Sequence, residues 1–292
     1  MIDVNGLRGD MVIRAVLRSD LSPIPLTFEG TIRSTTQTAT DYQGGKLIKV
    51  NEVPFRIVKS VPITNAGGGM QGTEPISGNS IIAYPDALVE VAKPRRSAVV
   101  FQNGTLGGIY RACGATAPLS GDFGVDRFAC LIGGTPTIGI AQVLQEASAV
   151  VMWRSKKLQA MNLRDLFKQT PVDNLDFSSS EDIDSDFLQA DEVPVYFSTG
   201  PDGGFVAGRR TSESQSVVYT PRKSAHTLNA MGRVLMRKKV IMAQADPTVQ
   251  AGNIILIRGV PYAAITVAQV MQNGSDGGSA EQYTRIWLGV ST

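Results

Sequence analysis

The chain closes on three ribbons: Asn253-Ile-Ile-Leu-Ile-Arg258; then, across Gly259-Val260-Pro261, Tyr262-Ala-Ala-Ile-Thr-Val-Ala-Gln-Val-Met271; and, after the Gly/Ser-rich residues 273–279, Tyr283-Thr-Arg-Ile-Trp-Leu-Gly-Val290. In the last ribbon Thr284, Ile286, Leu288 and Val290 share one side, while Tyr283, Arg285 and Trp287 share the other. Successive side chains of a strand leave opposite faces, so this alternation sets one face toward a core and leaves an aromatic-basic face outside. With turn residues between the ribbons, the reading is an antiparallel meander.

Working outward, the beginning of the chain repeats the pattern. Ile13, Ala15 and Leu17 oppose Arg14, Val16 and Arg18, Ser22-Pro23-Ile24-Pro25 breaks the run, and Leu26, Phe28, Gly30 and Ile32 then oppose Thr27, Glu29, Thr31 and Arg33. A turn at Gln43-Gly44-Gly45 leads to strands over Lys46–Val50 and Val53–Val61. So many short strands divided by turn chemistry predict a small barrel or a strongly twisted sheet. Residues 62–80, with Gly67-Gly68-Gly69, Gly72, Pro75 and Gly78, read as a long exposed loop. Ser97–Gly134 reads as further strands and turns, with the pairs Gly107-Gly108 and Gly133-Gly134 as punctuation.

The period changes in the centre. Ile138, Ile140, Ala141, Val143, Leu144, Ala147 and Val151 recur near helical spacing, and Leu158–Lys168 repeats this more weakly, which predicts one or two short helices. Asp173–Asp191 is an acidic, serine-rich loop, and Val193–Ser198 with Gly204–Ala207 flank Pro201-Asp202-Gly203 as a hairpin. A short helix is expected over His226–Met231, and Arg233–Ala243 is of mixed helix or strand character. The expected class is therefore α+β, mainly β: two small antiparallel β-barrel-like regions with a short helical insert. The expected divisions are residues 1–135, a β-rich domain with the Gly-rich loop 62–80; 136–220, an α+β insert with the acidic loop 173–191; and 221–292, a C-terminal barrel region.

Composition narrows the function. With 292 residues, 42% of them hydrophobic and 18% charged, the chain can bury a full core without staples. Its 28 Lys+Arg against 26 Asp+Glu leave only +2, too little to mark a dedicated binder of nucleic acid or anionic membrane. The start, Met1-Ile2-Asp3-Val4, has no basic region followed by an apolar stretch and predicts no secretory signal. No apolar run approaches the ~20 residues that span a bilayer.

Enzyme and metal chemistries find little to stand on. Cys113 and Cys130 have no CxxC partner or neighbouring His, so they lack a zinc ligand set and read as buried thiols or as one disulfide. Asp182, Asp184 and Asp186 have the spacing that opens a calcium loop, but Phe187 replaces its Gly and Val193 its closing Glu, so the tract reads as a solvated acidic loop or an irregular cation site. His226, the single histidine, is in no nucleophile elbow and reads as a helix-start or core-edge residue. Lys93-Pro94-Arg95-Arg96, Arg209-Arg210 and Arg237-Lys238-Lys239 read as solvated faces, or as subunit contacts or the lining of a positive pore. Trp153 and Trp287 read as core or interface anchors. No catalytic, cofactor-binding or metal-binding residue is expected.

The stretch Asp246–Val270 with its close at Tyr283–Leu288, and the hairpin Val195–Phe205 after the helix-like Ile138–Val151, resemble the baseplate or tail hub proteins of tailed bacteriophages and related injection machines. The resemblance implies a non-enzymatic virion protein that forms a ring, a trimer first and a hexamer second. Such a ring joins the tail tube to the spike or baseplate and encloses the channel through which DNA passes. It also implies residence in the virion tail after synthesis in the host cytoplasm. The rival expectations are another tail-tube or distal-tail ring component, a tail-borne cell-wall hydrolase, and a receptor- or carbohydrate-binding module using Trp287 and Tyr283.

Overall fold

The computed structural model describes residues 2–63, 70–71, 74–75, 77–175, 181–182, 193–200, 202–210, 215–274 and 279–292. The first expected hairpin forms as β1 (Val12–Asp20) and β2 (Leu26–Arg33), antiparallel from Val12↔Ile32 to Ser19↔Leu26. Helix α1 (Thr36–Asp41) follows, started by a reciprocal capping box between Thr35 and Thr38. Next come β3 (Leu47–Val50), β4 (Val53–Ile63) and β5 (Gly78–Pro85), with β4 and β5 antiparallel as far as Ile63↔Gly78. The expected loop 62–80 is therefore shorter at both ends, because its first and last residues pair with each other. Within it Met70–Gln71 pairs with Glu74–Pro75, and the Gly67–Gly69 triplet lies outside the described residues.

The tract expected to be strands and turns contains β6 (Val99–Thr105) and β7 (Gly124–Cys130), but also a helix, α2 (Leu106–Ala112). Gly107-Gly108, read as a turn, is the first turn of that helix. Thr105 Oγ1 caps it by accepting from Gly108 N, and Gly107 N donates to Asp122 Oδ1 at 2.8 Å. A side chain at Gly107 would collide with that carboxylate, since its Cβ would lie 2.8 Å from Asp122 Oδ2. Close approach, rather than chain reversal, is what the glycine serves here.

Helix α3 (Pro136–Glu146) forms where expected but stops before Ala147, and Val151 belongs to a strand, β8 (Ala149–Arg154). The second expected helix is mostly strand: β9 (Lys157–Asn162) pairs antiparallel with β8, and only α4 (Leu163–Leu166) is helical. The turn joining β8 to β9 is Ser155-Lys156, both at positive φ (48° and 63°) as a type I′ reversal requires. Neither residue favours that conformation, so the sequence carried no turn signal there. The same device joins β3 to β4 through Asn51-Glu52 (φ 46° and 63°).

The remaining strands are β10 (Asp173–Leu175), β11 (Val195–Thr199), β12 (Phe205–Ala207) and β13 (Val217–Tyr219), then helix α5 (Ala225–Met231), β14 (Leu235–Gln244), β15 (Ile254–Ile257), β16 (Val260–Gln272) and β17 (Glu281–Ser291). The hairpin at 195–207, the helix at 226–231 and the closing meander match expectation, and the mixed segment 233–243 resolves as strand. The meander's first turn is Arg258-Gly259 (φ 50° and 76°), so Val260 and Pro261 already belong to β16.

The two expected barrel-like regions are joined into one sheet. Its strand order is Glu181–Asp182, β14, β17, β16, β1, β2, β5, β4, β3, with β15 and β10 branching from β16. The path has two ends, so among the described residues no barrel closes. The seam is β1 against β16, antiparallel from Arg14↔Gln272 to Asp20↔Thr266. Polar side chains stitch it: Thr266 Oγ1 donates to Asp20 Oδ1 at 2.7 Å, and Ala251 N donates to the buried Ser19 Oγ at 2.9 Å. The largest core runs from Phe28, Ile57 and Ile81 through Leu88, Ile109 and Tyr110 to Phe128, Ile140 and Leu158, so helix α3, packed on β7 and β8, shares one core with the N-terminal strands. A second core fills the meander around Ile241, Ile255, Val267, Ile286 and Leu288.

Candidate assembly surface

Strands β12, β11 and β13 form a separate small sheet in that order, antiparallel on one side of β11 and parallel on the other. Its inner face is tied down. Ser198 is fully buried and its Oγ accepts from Lys223 N at 3.0 Å, while Gln145 Nε2 at the end of α3 donates to Tyr196 Oη at 2.8 Å. Beside them Lys223 Nζ meets Glu146 Oε1 at 2.5 Å, with both side chains largely buried. Among the described residues its outer face is buried at Val195 and open beyond it. Phe197 holds Phe205 at 6.1 Å and Tyr219 at 5.1 Å between ring centroids, and Phe205 is 81% exposed, with Val217 and Tyr219 also exposed. Aromatic rings gathered at a surface shield one another in part and leave apolar area exposed unless something covers them.

A second apolar patch lies at the opposite end of α3. Leu131 and Ile132 follow β7, Ile138 lies in the first turn of α3, and all three are more than two-thirds exposed. Backbone bonds between Arg95 and the pair Gly133-Gly134 hold this loop in place. Eleven helical residues at ~1.5 Å each put roughly 16 Å of helix between the two patches.

Residues singled out in the sequence fall in several places. Cys113 and Cys130 are free and buried, and burial pushes the Cys113 thiol up to about 11, so it stays protonated and inert. His226 is exposed on the first turn of α5. Asp182 pairs with Lys239 in the sheet, whereas Asp184 and Asp186 lie outside the described residues. Among the described residues no three His, Cys, Asp or Glu side chains gather as a metal set. Arg95 is not a solvated charge: its guanidinium donates to the carbonyls of Cys113 and Ala112 and so closes the C-terminus of α2. Arg209 and Arg237 are exposed. Trp153 is buried in the main core, and Trp287 is half-buried beneath the Arg285 guanidinium, 5.0 Å from its ring. No described helix is long and apolar enough to cross a membrane.

Sequence reading found the 195–207 hairpin but not its aromatic face. Tyr219 reaches Phe197 by parallel pairing from twenty-two residues away, and local alternation does not announce a parallel partner.

No protein-family model matches the sequence, and neither does any curated protein. Solved structures do share the fold. The tail protein from Neisseria meningitidis MC58 superposes over 99% of this chain and 96% of its own, with a TM-score of 0.66 at 9% identity. The 43 kDa tail protein of prophage MuSo2 from Shewanella oneidensis does so over 99% and 97%, with a TM-score of 0.63 at 10% identity. A chain of the half-lidded Francisella PdpA-VgrG complex matches 99% of this chain with 57% of its own, at a TM-score of 0.55 and 7% identity. At such identities the likeness is one of fold, and it extends over nearly the whole chain, including the insert. The resemblance seen in the closing meander and the 195–205 hairpin is in accord with it.

Proposed function

We propose that this chain is a structural, non-enzymatic subunit of a phage-type tail, placed at the baseplate hub. Copies form a ring, a trimer first and a hexamer second, that joins the tail tube to the spike or baseplate and surrounds the channel for DNA. It acts in the virion tail after synthesis in the host cytoplasm. The observation that carries this reading is the end-to-end agreement of fold with two phage tail proteins. Agreement with a chain of a VgrG complex supports a neighbour of the spike type. The three divisions, 1–135, 136–220 and 221–292, then serve as two sheet-bearing parts of the ring wall and an insert that carries the contact face.

The physical basis is the pair of unlike apolar patches at the two ends of α3. A ring with head-to-tail contacts needs two different complementary surfaces on each copy, and each surface must be apolar enough to repay ordering. Light scattering with negative-stain imaging tests the proposal: an annulus of three or six copies of 31.2 kDa supports it. A monomer at high concentration, or lysis of purified cell wall by the chain alone, overturns it. A ring of uniform thickness that stacks end on end would instead place the chain in the tail tube or a distal-tail ring.

A further inference from the structure

A cleft of about 770 Å³ lies between the small sheet, α4 and α5, and its charge is one-sided. Arg164 of α4, Arg209 after β12 and Arg233 after α5 line it together with His226, and among the described residues none of its lining side chains is acidic. Among the described residues these three guanidinium groups make no ion pair, although six other arginines and lysines elsewhere do pair. An adjoining cleft, which also reaches His226, is different: there Glu146 already neutralises Lys223.

A second, independent feature points into the same space. Ser148, in the connection between α3 and β8, is only 3% exposed, yet among the described residues its Oγ has no hydrogen-bond partner. It also holds φ at +47°, a strained conformation for a residue with a side chain. A buried hydroxyl without a partner lowers stability, because nothing offsets its desolvation. Lining a cleft ringed by cations, it is placed to donate to an anion.

We propose that this cleft receives an acidic peptide segment of a neighbouring protein, with carboxylates engaging Arg164, Arg209 and Arg233 and one of them accepting from Ser148 Oγ. The guanidinium fork matches a carboxylate with two parallel hydrogen bonds, and arginines delivered from separate elements match charges spaced along a chain. Nucleic acid fits less well. Among the described residues no Phe, Tyr or Trp lines the cleft to stack a base, and the chain's net charge of +2 adds no general attraction for a polyanion. The cleft lies within one copy, so the inference stands whether or not the ring reading holds.

Fluorescence polarisation with a labelled decaglutamate peptide tests this on the full chain. The full chain carrying Asp184→Asn, Asp186→Asn and Asp191→Asn is run beside it, so that its own acidic tract does not compete. The expected result is saturable binding that weakens at least about tenfold in Arg164→Gln/Arg209→Gln/Arg233→Gln and is unchanged in the distant control Lys59→Gln. Ser148→Ala is expected to weaken binding while leaving the thermal midpoint equal or higher, a split that a purely structural serine would not produce. Failure of the peptide to bind either form, or equal binding by the triple variant, overturns the proposal. Tighter binding of a labelled ten-nucleotide oligothymidylate through the same arginines also overturns it.

Discussion

The seam between β1 and β16 and the small sheet around β11 are both antiparallel or mixed ribbons with exposed ends, yet they differ in what covers them. At the seam one face is filled, with Ala15 and Met271 in the main core, and the other is covered in part, Thr266, Ala268 and Val270 being buried while Arg14 is exposed; Ser19 and Asp20 satisfy Ala251 N and the Thr266 hydroxyl. In the small sheet Ser198 and Tyr196 are tied down on the inner face, while on the outer face, beyond the buried Val195, Phe197, Phe205 and Tyr219 gather at the surface. Burial that reaches both faces marks a scaffold, and an aromatic cluster left on one face is open to contact.

Substitutions separate these two roles. The largest effect is expected from Phe28→Ala in β2, a fully buried ring packed edge-on to Phe55 at 6.3 Å: about 3–5 kcal/mol lost, read as a lower denaturant midpoint. Next comes Gly289→Ala in β17, where an added Cβ would lie 2.4 Å from both Met236 O and Ile265 Cδ1. Gly289 pairs with Arg237, where β14 slips register before Lys239, and with Ala263 of β16, next to the pair at which that strand slips between Ala264 and Thr266; ~1–3 kcal/mol of strain should appear in urea unfolding. At the seam, Ser19→Ala leaves Ala251 N–H buried without its acceptor and should cost about 1–3 kcal/mol. By contrast Phe205→Asp should leave the fold within about 0.5 kcal/mol but lower the assembled mass in light scattering. Loss of thermal stability in Phe205→Asp comparable to that in Phe28→Ala would erase the distinction between scaffold and open contact face.

The smallest effect concerns acid. Asp246 opens the loop before β15, and its carboxylate accepts from Thr248 Oγ1 at 2.6 Å and from Thr248 N at 2.8 Å, which holds it below the usual carboxylate range. A depressed folded-state pKa adds stability above the unfolded value of ~3.9 that is lost as pH falls through the folded one. The midpoint difference between the native chain and Asp246→Ala should therefore be present at pH 6 and shrink as pH falls below about 4. A difference that is constant with pH would show that the Asp246 contacts contribute nothing through charge.

Legibility in the sequence followed the strength of local signals. β1, β2 and the closing meander were readable because one face is buried and the other wet, so polar and apolar residues alternate; Thr284, Ile286 and Leu288 are indeed buried while Arg285 is exposed. The β8–β9 hairpin was not readable. Its first strand is buried on both sides at Val151 and Met152, which removes the alternation there, and its turn uses Ser155-Lys156 instead of Asn-Gly. Helix α2 was hidden by Gly107-Gly108, whose purpose depends on Asp122 arriving from another part of the chain. The patch residues Phe205 and Tyr219, and the arginines of the cleft, were ordinary residues until the fold gathered them.

What the residue order determined on its own was the mainly β character, the hairpins and the helix at the centre, because these follow from periodicity and turn chemistry within a few residues. Only the tertiary structure decided that the first and last strands share one continuous sheet instead of two barrels. Pairing of β1 with β16 joins residues some 250 positions apart, and no local pattern encodes a hydrogen-bond ladder over that distance.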